Sequence, residues 1–322
     1  MIRTNDSQET TQFGRLLVTG AGGFIGNHAV TQLASAAQAI VAITGPGDPK
    51  RDWPDNVQSF EVDVSDPHTL DAHSLDRLVH DIDAVVHLAG PPSVRDSFQS
   101  PRQFLDVHTG GTTNLLRAAE LAGVRRLVYV SSAEVYGQPL RNPVDELHPL
   151  QPKSPYGAAK IGAESMVEAF TRFTDMSAVI VRPFSVYGPG QTMNSLLGTI
   201  IRQLQNGQRI ELADLEPIRD YIYVSDLIAA IRTACTVEID RLEILNLGSG
   251  RGISVARFAE LVSQAMDVHA TITQTKDNDR PSEGRIVELV SDCRRAERVL
   301  GWTPQVSLLE GLRSTIESGE KV

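Results

Sequence analysis

The stretch Leu16-Leu17-Val18-Thr19-Gly20-Ala21-Gly22-Gly23-Phe24-Ile25-Gly26 decides how the rest of the chain is read. Its apolar start predicts a strand, its glycines a turn, and Phe24-Ile25 the opening of a helix. A strand that reverses sharply into a helix, with a diphosphate against its backbone, needs positions without a Cβ, which Gly20, Gly23 and Gly26 supply. The helix amino terminus then offers unpaired N–H groups and the positive end of its dipole to phosphates. Phe24 and Ile25 would anchor that helix to the sheet. The spacing is G-x-x-G-x-x-G, not the common G-x-G-x-x-G fingerprint. Taken alone, it also reads as a glycine-rich turn with no ligand.

Working outward, Asn27 to Ala37 keeps helical spacing, and Ala39 to Ile43 is a short apolar run that predicts a second strand. Val57 to Val64 alternates into a third strand. Asp83 to Gly90 holds a fourth, Arg126 to Ser132 a fifth and Ala178 to Pro183 a sixth. Long helical segments, Pro101 to Ala122 and Pro155 to Thr174, lie between them. Strands alternating with helices imply an α/β fold, a Rossmann-type doubly wound parallel sheet with its ligand at the carboxyl ends of the strands. Beyond residue 184 the alternation loosens. A helix over Ser195 to Asn206, strands at Ile210 to Leu212 and Glu243 to Gly248, a helix over Ser254 to Met266 capped by Ser254, and an amphipathic Leu308 to Ile316 predict a smaller C-terminal α/β lobe that binds substrate. The expected division is a flexible tail over 1–12, a dinucleotide-binding domain over 13–183, and mainly the substrate lobe over 184–322.

Composition narrows the partners. A net charge of −10 over 322 residues argues against general affinity for nucleic acid or anionic membranes, both of which favour a basic surface. No apolar run approaches the ~20 residues that span a bilayer, and Met1 to Gln12 lacks the apolar core of a signal peptide. Two cysteines, Cys235 and Cys293, give neither a disulfide framework nor a metal cluster, which fits a reducing cytoplasm.

Chemistry concentrates in Tyr156-Gly157-Ala158-Ala159-Lys160. A spacing of i and i+4 puts phenol and ammonium on one helix face. A tyrosine of ordinary pKa near 10 is a poor base at neutral pH, and a neighbouring cation favours its phenolate. Ser132, at the end of the fifth strand, can share the hydrogen bond of a substrate hydroxyl. His87 reads as packed beside its strand.

Together these segments resemble the extended short-chain dehydrogenase/reductases, specifically the NAD-dependent epimerase/dehydratase family acting on nucleotide sugars. The resemblance is carried by Thr19 to Gly26, His87-Leu88-Ala89-Gly90, Val130-Ser131-Ser132-Ala133-Glu134-Val135-Tyr136-Gly137, Ser154 to Lys160, Arg182 to Gly190, Arg219 to Asp226 and Asn246 to Gly250. It implies that Tyr156 is the base, that Lys160 holds the nicotinamide ribose and tunes Tyr156, and that Ser132 orients the sugar hydroxyl, with Glu134 beside them. Expected cofactor contacts are Gly20, Gly22, Gly23, Phe24, Ile25 and Gly26 of the turn. Thr44, Asp63, Val64, Leu88, Ala89, Gly90, His108 and Pro183 join them, together with Tyr156 and Lys160. Ser185, Arg219 and Arg280 are expected on the nucleotide sugar, the two guanidinium groups suiting its diphosphate. The alternative for each arginine is a surface salt bridge. Similar proteins dimerise through the two long helices, so a homodimer is expected.

Departures from the family pattern sharpen the reading. Strands equivalent to the second often end in an acid that accepts from the adenosine ribose hydroxyls and repels a 2′-phosphate. Here Thr44-Gly45 stands there, with Lys50 and Arg51 beyond, which leaves NAD or NADP open; the two cations are otherwise solvated loop charges. Asp63 either meets the adenine amino group or only caps the next turn. Sugar 4,6-dehydratases usually carry an aspartic acid before the glutamate, where this chain has Ala133. Glu134 abstracts a proton next to a ketone, assists a decarboxylation, or simply hydrogen-bonds. His108 stands where the family usually has asparagine, and either replaces that amide's structural hydrogen bond or alters a proton relay. The leading expectation is a 4-epimerase of a nucleotide-activated hexose. Its rival is an NADPH-dependent 4-ketoreductase of a 4-keto-6-deoxy sugar. Dehydratase, decarboxylase and a non-catalytic cofactor-binding regulator stand behind these.

Overall fold

The computed structural model describes residues 12–69, 81–275 and 285–318. Strands β1 (Phe13–Thr19), β2 (Ala37–Thr44), β3 (Val57–Glu61), β4 (Ala84–His87), β5 (Arg126–Val130), β6 (Ser177–Pro183) and β10 (Leu242–Leu247) form one sheet in the order β10-β6-β5-β4-β1-β2-β3. Every pairing in it is parallel. Strands covered on both faces need apolar side chains on both, and β1 shows why. Leu16 and Val18 enter one core with Ala29, Val30 and Leu33 of helix α1 (Phe24–Ala34), while Leu17 enters the other with Leu115, Leu116, Ala163 and Val167.

The connections differ from expectation in instructive places. Helix α1 stops at Ala34, not Ala37, because the carbonyl of Ala36 accepts from Phe13 N (3.0 Å) and pulls Ala37 into β2. The third strand ends at Glu61, and Asp63 turns the chain by accepting from Ser65 N (2.9 Å) and Ser65 Oγ (2.6 Å). The long helical run expected from Pro101 is present but not uniform: α2 (Pro101–Phe104) passes through a π-helical stretch, Leu105–Gly111, before α3 (Thr112–Leu121). Helix α4 (Pro155–Phe173) is capped by Ser154 Oγ, which accepts from Gly157 N at 3.1 Å.

The remaining elements build the smaller layer. Strands β7 (Ser185–Tyr187), β9 (Ile218–Tyr223), β11 (Gly252–Ser254) and β13 (Glu288–Leu289) make a second sheet, with β8 (Arg209–Leu212) paired to β12 (Thr271–Gln274) beside it. Helices α5 (Leu196–Asn206), α7 (Val255–Ala265) and α8 (Leu308–Glu317) cover this layer, whose core gathers Leu197, Ile200, Phe258, Val262 and Leu312. The boundary expected at residue 183 does not follow the sheets: β10 lies at the edge of the large sheet, and α6 (Val224–Ala234) packs Leu227 and Ile231 into the core beneath it.

Asp220 on β9 fastens this layer. The carboxylate is fully buried and accepts from Ser249 N (2.7 Å), Ser249 Oγ (2.5 Å), Gly250 N (3.0 Å) and Ser291 N (3.1 Å), and from the hydroxyl of Ser291. Replacing it strands these donors, and each buried donor left without a partner costs on the order of 1–3 kcal/mol. Asp220→Ala should therefore lower the unfolding free energy by roughly 3 kcal/mol, read from the urea midpoint; an unchanged midpoint would contradict this role.

Candidate active site

In a doubly wound sheet the ligand crevice opens where strand order reverses, which here is between β1 and β4. The glycine turn and the start of α1 close its floor. A Cβ on Gly26 would overlap the carbonyl oxygen of Gly20, so only glycine lets helix and strand approach this far. Phe24 and Ile25 pack on the sheet as expected.

A buried hydrogen-bond chain sets the walls of the crevice. The Thr112 hydroxyl donates to His108 O, so its oxygen accepts from His87 Nε2 (2.9 Å). The His87 hydrogen is thereby placed on Nε2, and Nδ1 accepts from Thr19 Oγ1 at 2.6 Å. Thr19 Oγ1 in turn accepts from the backbone N–H groups of Leu88 (3.2 Å) and Ala89 (3.3 Å). Burial first, then Lys160, hold the His87 pKa down at about 3, and the ring stays neutral. His87 is thus a structural tie, in agreement with its reading from sequence.

At the outer end of the crevice Thr44 closes β2, its hydroxyl donating to Phe60 O at 3.3 Å. The turn Gly45-Pro46-Gly47 then folds the chain back. Asp48 accepts from Gly45 N (2.8 Å), and a Cβ on Gly22 would stand 2.6 Å from Asp48 Oδ2. Arg51 reaches the same spot and donates to Gly22 O from Nη2 (2.9 Å) and Nε (3.3 Å). An acid absent from the strand end is therefore supplied from four residues further on; the Gly-Pro-Gly turn was the signal for it. Val64 lies under the π-helical stretch, where a Cβ on Gly111 would meet its Cγ2 at 2.8 Å.

The centre is built by β5 and α4. Ser132 follows β5 and caps the short turn Ala133–Tyr136, its Oγ accepting from Glu134 N at 3.2 Å. Tyr156 and Lys160, one turn apart on α4, are both buried. Ser132 stands near enough to the Tyr156 phenol to favour its ionisation, and the Glu134 carboxyl near enough to oppose it. Burial dominates and pushes the Tyr156 pKa up to about 12. Lys160 donates to Val130 O at 2.8 Å, and burial, partly offset by Glu164, brings its pKa down to about 7. The protein's own groups therefore favour the protonated phenol at neutral pH.

Glu164, one turn further along α4, forms a buried bidentate pair with Arg182 (Nη2–Oε2 2.6 Å, Nε–Oε1 3.0 Å), which also donates to Tyr136 Oη (2.9 Å). Gly90 and His108 close the inner wall. Gly90 has φ +140°, and a Cβ there would collide with the His108 ring, so glycine is required. Burial, then Lys160, lower the His108 pKa to about 2. Pro183 ends β6 beside Leu247, and Ser185 opens β7 opposite Tyr221. Arg219, two residues before Tyr221 on β9, donates from Nη1 to Ile218 O (2.9 Å) and from Nη2 to Ile286 O (2.8 Å). Arg280 lies outside the described residues.

Several observations fit a dinucleotide: the close turn at Gly20 to Gly26, an acid and a cation folded over Gly22, and a Cβ-free wall at Gly90 beside buried Tyr156 and Lys160. Residues 16–248 match the model of the NAD dependent epimerase/dehydratase family. The chain is 31% identical over 338 residues to UDP-glucose 4-epimerase of Azospirillum brasilense, covering 98% of this chain and 94% of that protein. It is 30% identical to dTDP-D-glucose 4,6-dehydratase of Mus musculus, covering 94% and 88%. The solved structure of MoeE5 in complex with UDP-glucuronic acid and NAD superposes with a TM-score of 0.83 at 31% identity, over 94% of this chain and 98% of that one.

The Lys160 ammonium has a lower pKa folded than unfolded, so the native state is penalised once pH falls below the unfolded value near 10.5, fully so below about 7. Lys160→Met should therefore melt higher than wild type at pH 6, with the gap shrinking as pH rises from 7 to 10, in differential scanning fluorimetry across ~pH 6–10. A gap that does not change with pH would refute the buried charge.

Proposed function

The chain belongs to the NAD dependent epimerase/dehydratase family, and within it we propose that it is a 4-epimerase of a nucleoside-diphosphate hexose, with uridine diphosphate sugars the first substrates to try. The observation that carries the reading is the pairing of Tyr156 and Ser132 beside Ala133, whose buried methyl stands where a dehydratase would hold a proton donor. Loss of water from C6 then lacks its acid, while chemistry at C4 keeps every group it needs. Tyr156 takes the proton of the C4 hydroxyl, Ser132 hydrogen-bonds the same oxygen, and Lys160 holds the nicotinamide ribose and lends its charge. Bound NAD supplies the hydride acceptor at C4 and the donor on the return, so no net redox results. The positive charge of the oxidised nicotinamide favours the phenolate that burial opposes. Arg219 and Ser185 bind the diphosphate and sugar in this reading, and Arg280 joins them. The relative from Azospirillum brasilense is itself named a UDP-glucose 4-epimerase, which supports the assignment.

Asp48 supports NAD over NADP, because a carboxylate beside Gly22 accepts from ribose hydroxyls and repels a 2′-phosphate. One observation favours the 4-ketoreductase reading: the Arg51 guanidinium also lies over Gly22 and suits a 2′-phosphate. A homodimer through α2–α3 and α4 remains part of the proposal, supported by exposed Leu105, Leu121 and Phe173 on those helices.

Two measurements decide. The purified protein should carry cofactor through gel filtration and interconvert UDP-galactose and UDP-glucose with no net change in nicotinamide absorbance, and Tyr156→Phe should slow this by roughly 10²–10⁴. Stoichiometric oxidation of NADPH with a 4-keto-6-deoxy nucleotide sugar would establish the reductase instead, and unchanged turnover in the Tyr156→Phe variant would remove catalysis by Tyr156. Asp48→Ala should shift the ratio of NAD to NADP affinity toward NADP by about tenfold, ~1.4 kcal/mol, in calorimetric titration; an unchanged ratio would acquit Asp48.

A further inference from the structure

Three charged side chains are buried close together, and their charges do not sum to zero. Lys160, Glu164 and Arg182 are 4%, 5% and 2% exposed. Glu164 stands one helical turn beyond Lys160 on the same face of α4, yet both of its oxygens are taken by Arg182, at 2.6 and 3.0 Å. The Lys160 ammonium donates instead to Val130 O. Arg182 is itself held in place. The Tyr136 hydroxyl donates its single hydrogen to Asn246 Oδ1 (2.7 Å), so its oxygen accepts from Arg182 Nη1 (2.9 Å), while Asn246 Nδ2 donates to Val144 O (2.9 Å). Other titratable groups that face Lys160 are Tyr129 on β5, Tyr156 on α4, His87 on β4 and His108 on the π-helical stretch. Burial favours the uncharged form of all four.

The balance among the three decides how firmly Lys160 holds its proton. Without Arg182, Glu164 would be free to pair with Lys160, and an opposite charge so near keeps an ammonium ionised into the alkaline range. With Arg182 in place the acid is already matched. A charged Lys160 then leaves one buried positive charge in excess, and release of its proton restores neutrality. We propose that Arg182 is a positioning residue for the reaction: by claiming both oxygens of Glu164 it sets the charge of Lys160, and through that charge the pH range in which Tyr156 works. The last step rests on the roles of Tyr156 and Lys160 proposed above, whereas the balance of charge does not.

The gap in melting temperature between a protein and the same protein carrying Lys160→Met reports on the folded lysine without cofactor or substrate, through the pH below which the gap levels off. Glu164→Gln removes the acid and leaves Arg182 unbalanced, so this pH should fall by about one pH unit and the gap should widen. Arg182→Met frees the acid for Lys160, so the same pH should rise by about one pH unit. The double variant should lie between the two. Alkaline loss of turnover, where Lys160 gives up the charge that supports the phenolate, should shift in the same directions. Levelling at one pH in every background overturns the proposal, because a pair that only stabilises the fold lowers melting temperatures without moving Lys160. A pH–rate profile that stays fixed while the levelling pH moves overturns it too. If Arg182→Met does not fold, Glu164→Gln and the double variant decide, by whether the second change reverses the first. A wild type that turns over no nucleotide sugar would instead bring down the reading of the reaction, and the melting gaps would still judge Arg182.

Discussion

The chain of hydrogen bonds from His108 O through Thr112, His87 and Thr19 to the N–H groups of Leu88 and Ala89 is the constraint on which the site depends. It runs in one direction only, because each hydroxyl has a single hydrogen and the ring is neutral. It therefore fixes the distance between the end of β1, the end of β4 and the π-helical stretch at once. In a low-dielectric interior such a network is rigid when complete and costly when broken. The π-helical register matters for the same reason. It carries His108 onto Gly90 while Thr109 Oγ1 donates to Ala159 O on α4 (2.9 Å), so the wall of the crevice and the helix bearing Tyr156 are joined through one turn.

Charge is the second theme. The centre buries a lysine, and one helical turn away a glutamate–arginine pair, in a protein whose surface is acidic. Such burial is weak evidence for stability, since desolvation rivals the attraction gained. Here it has a chemical use. Lys160 and Tyr156 each have a pKa displaced in favour of the uncharged form, down to about 7 and up to about 12, by the same dry surroundings. A positive charge bound near the phenol would then have more effect than it would in water.

The parts of this arrangement that depend on local periodicity were legible in the amino-acid order. The glycine turn, the alternating strands and helices, and the Tyr156–Lys160 spacing each follow from short-range geometry, and Ser254 caps its helix where local pattern places it. The rest depends on where the chain returns. Asp48 reaches Gly22 only because Gly45-Pro46-Gly47 reverses direction, so a search for an acid directly after β2 missed it. The two faces of His108, one toward Pro91 and one toward Gly90, become separable once a π-helical turn sets the ring's orientation. Nor does a strand such as Leu242–Leu247 announce which sheet it joins; its partner in space is 64 residues back, in the pairing of Leu242 with Ala178.

That last pairing has a consequence for how the molecule can be divided. The chain leaves the large sheet at Pro183 and returns with Leu247 as the register partner of that same residue, while Phe184 N donates to Leu247 O at 2.9 Å. The excursion between them begins and ends at one seam. A polypeptide cut at residue 183 would lack β10 and leave the apolar ladder of β6, Val179 to Val181, as an open edge of the kind that recruits strands from other molecules. The two layers are therefore not beads on a string but a single woven unit, and a mutation that loosens the smaller layer also unravels the hem of the larger one.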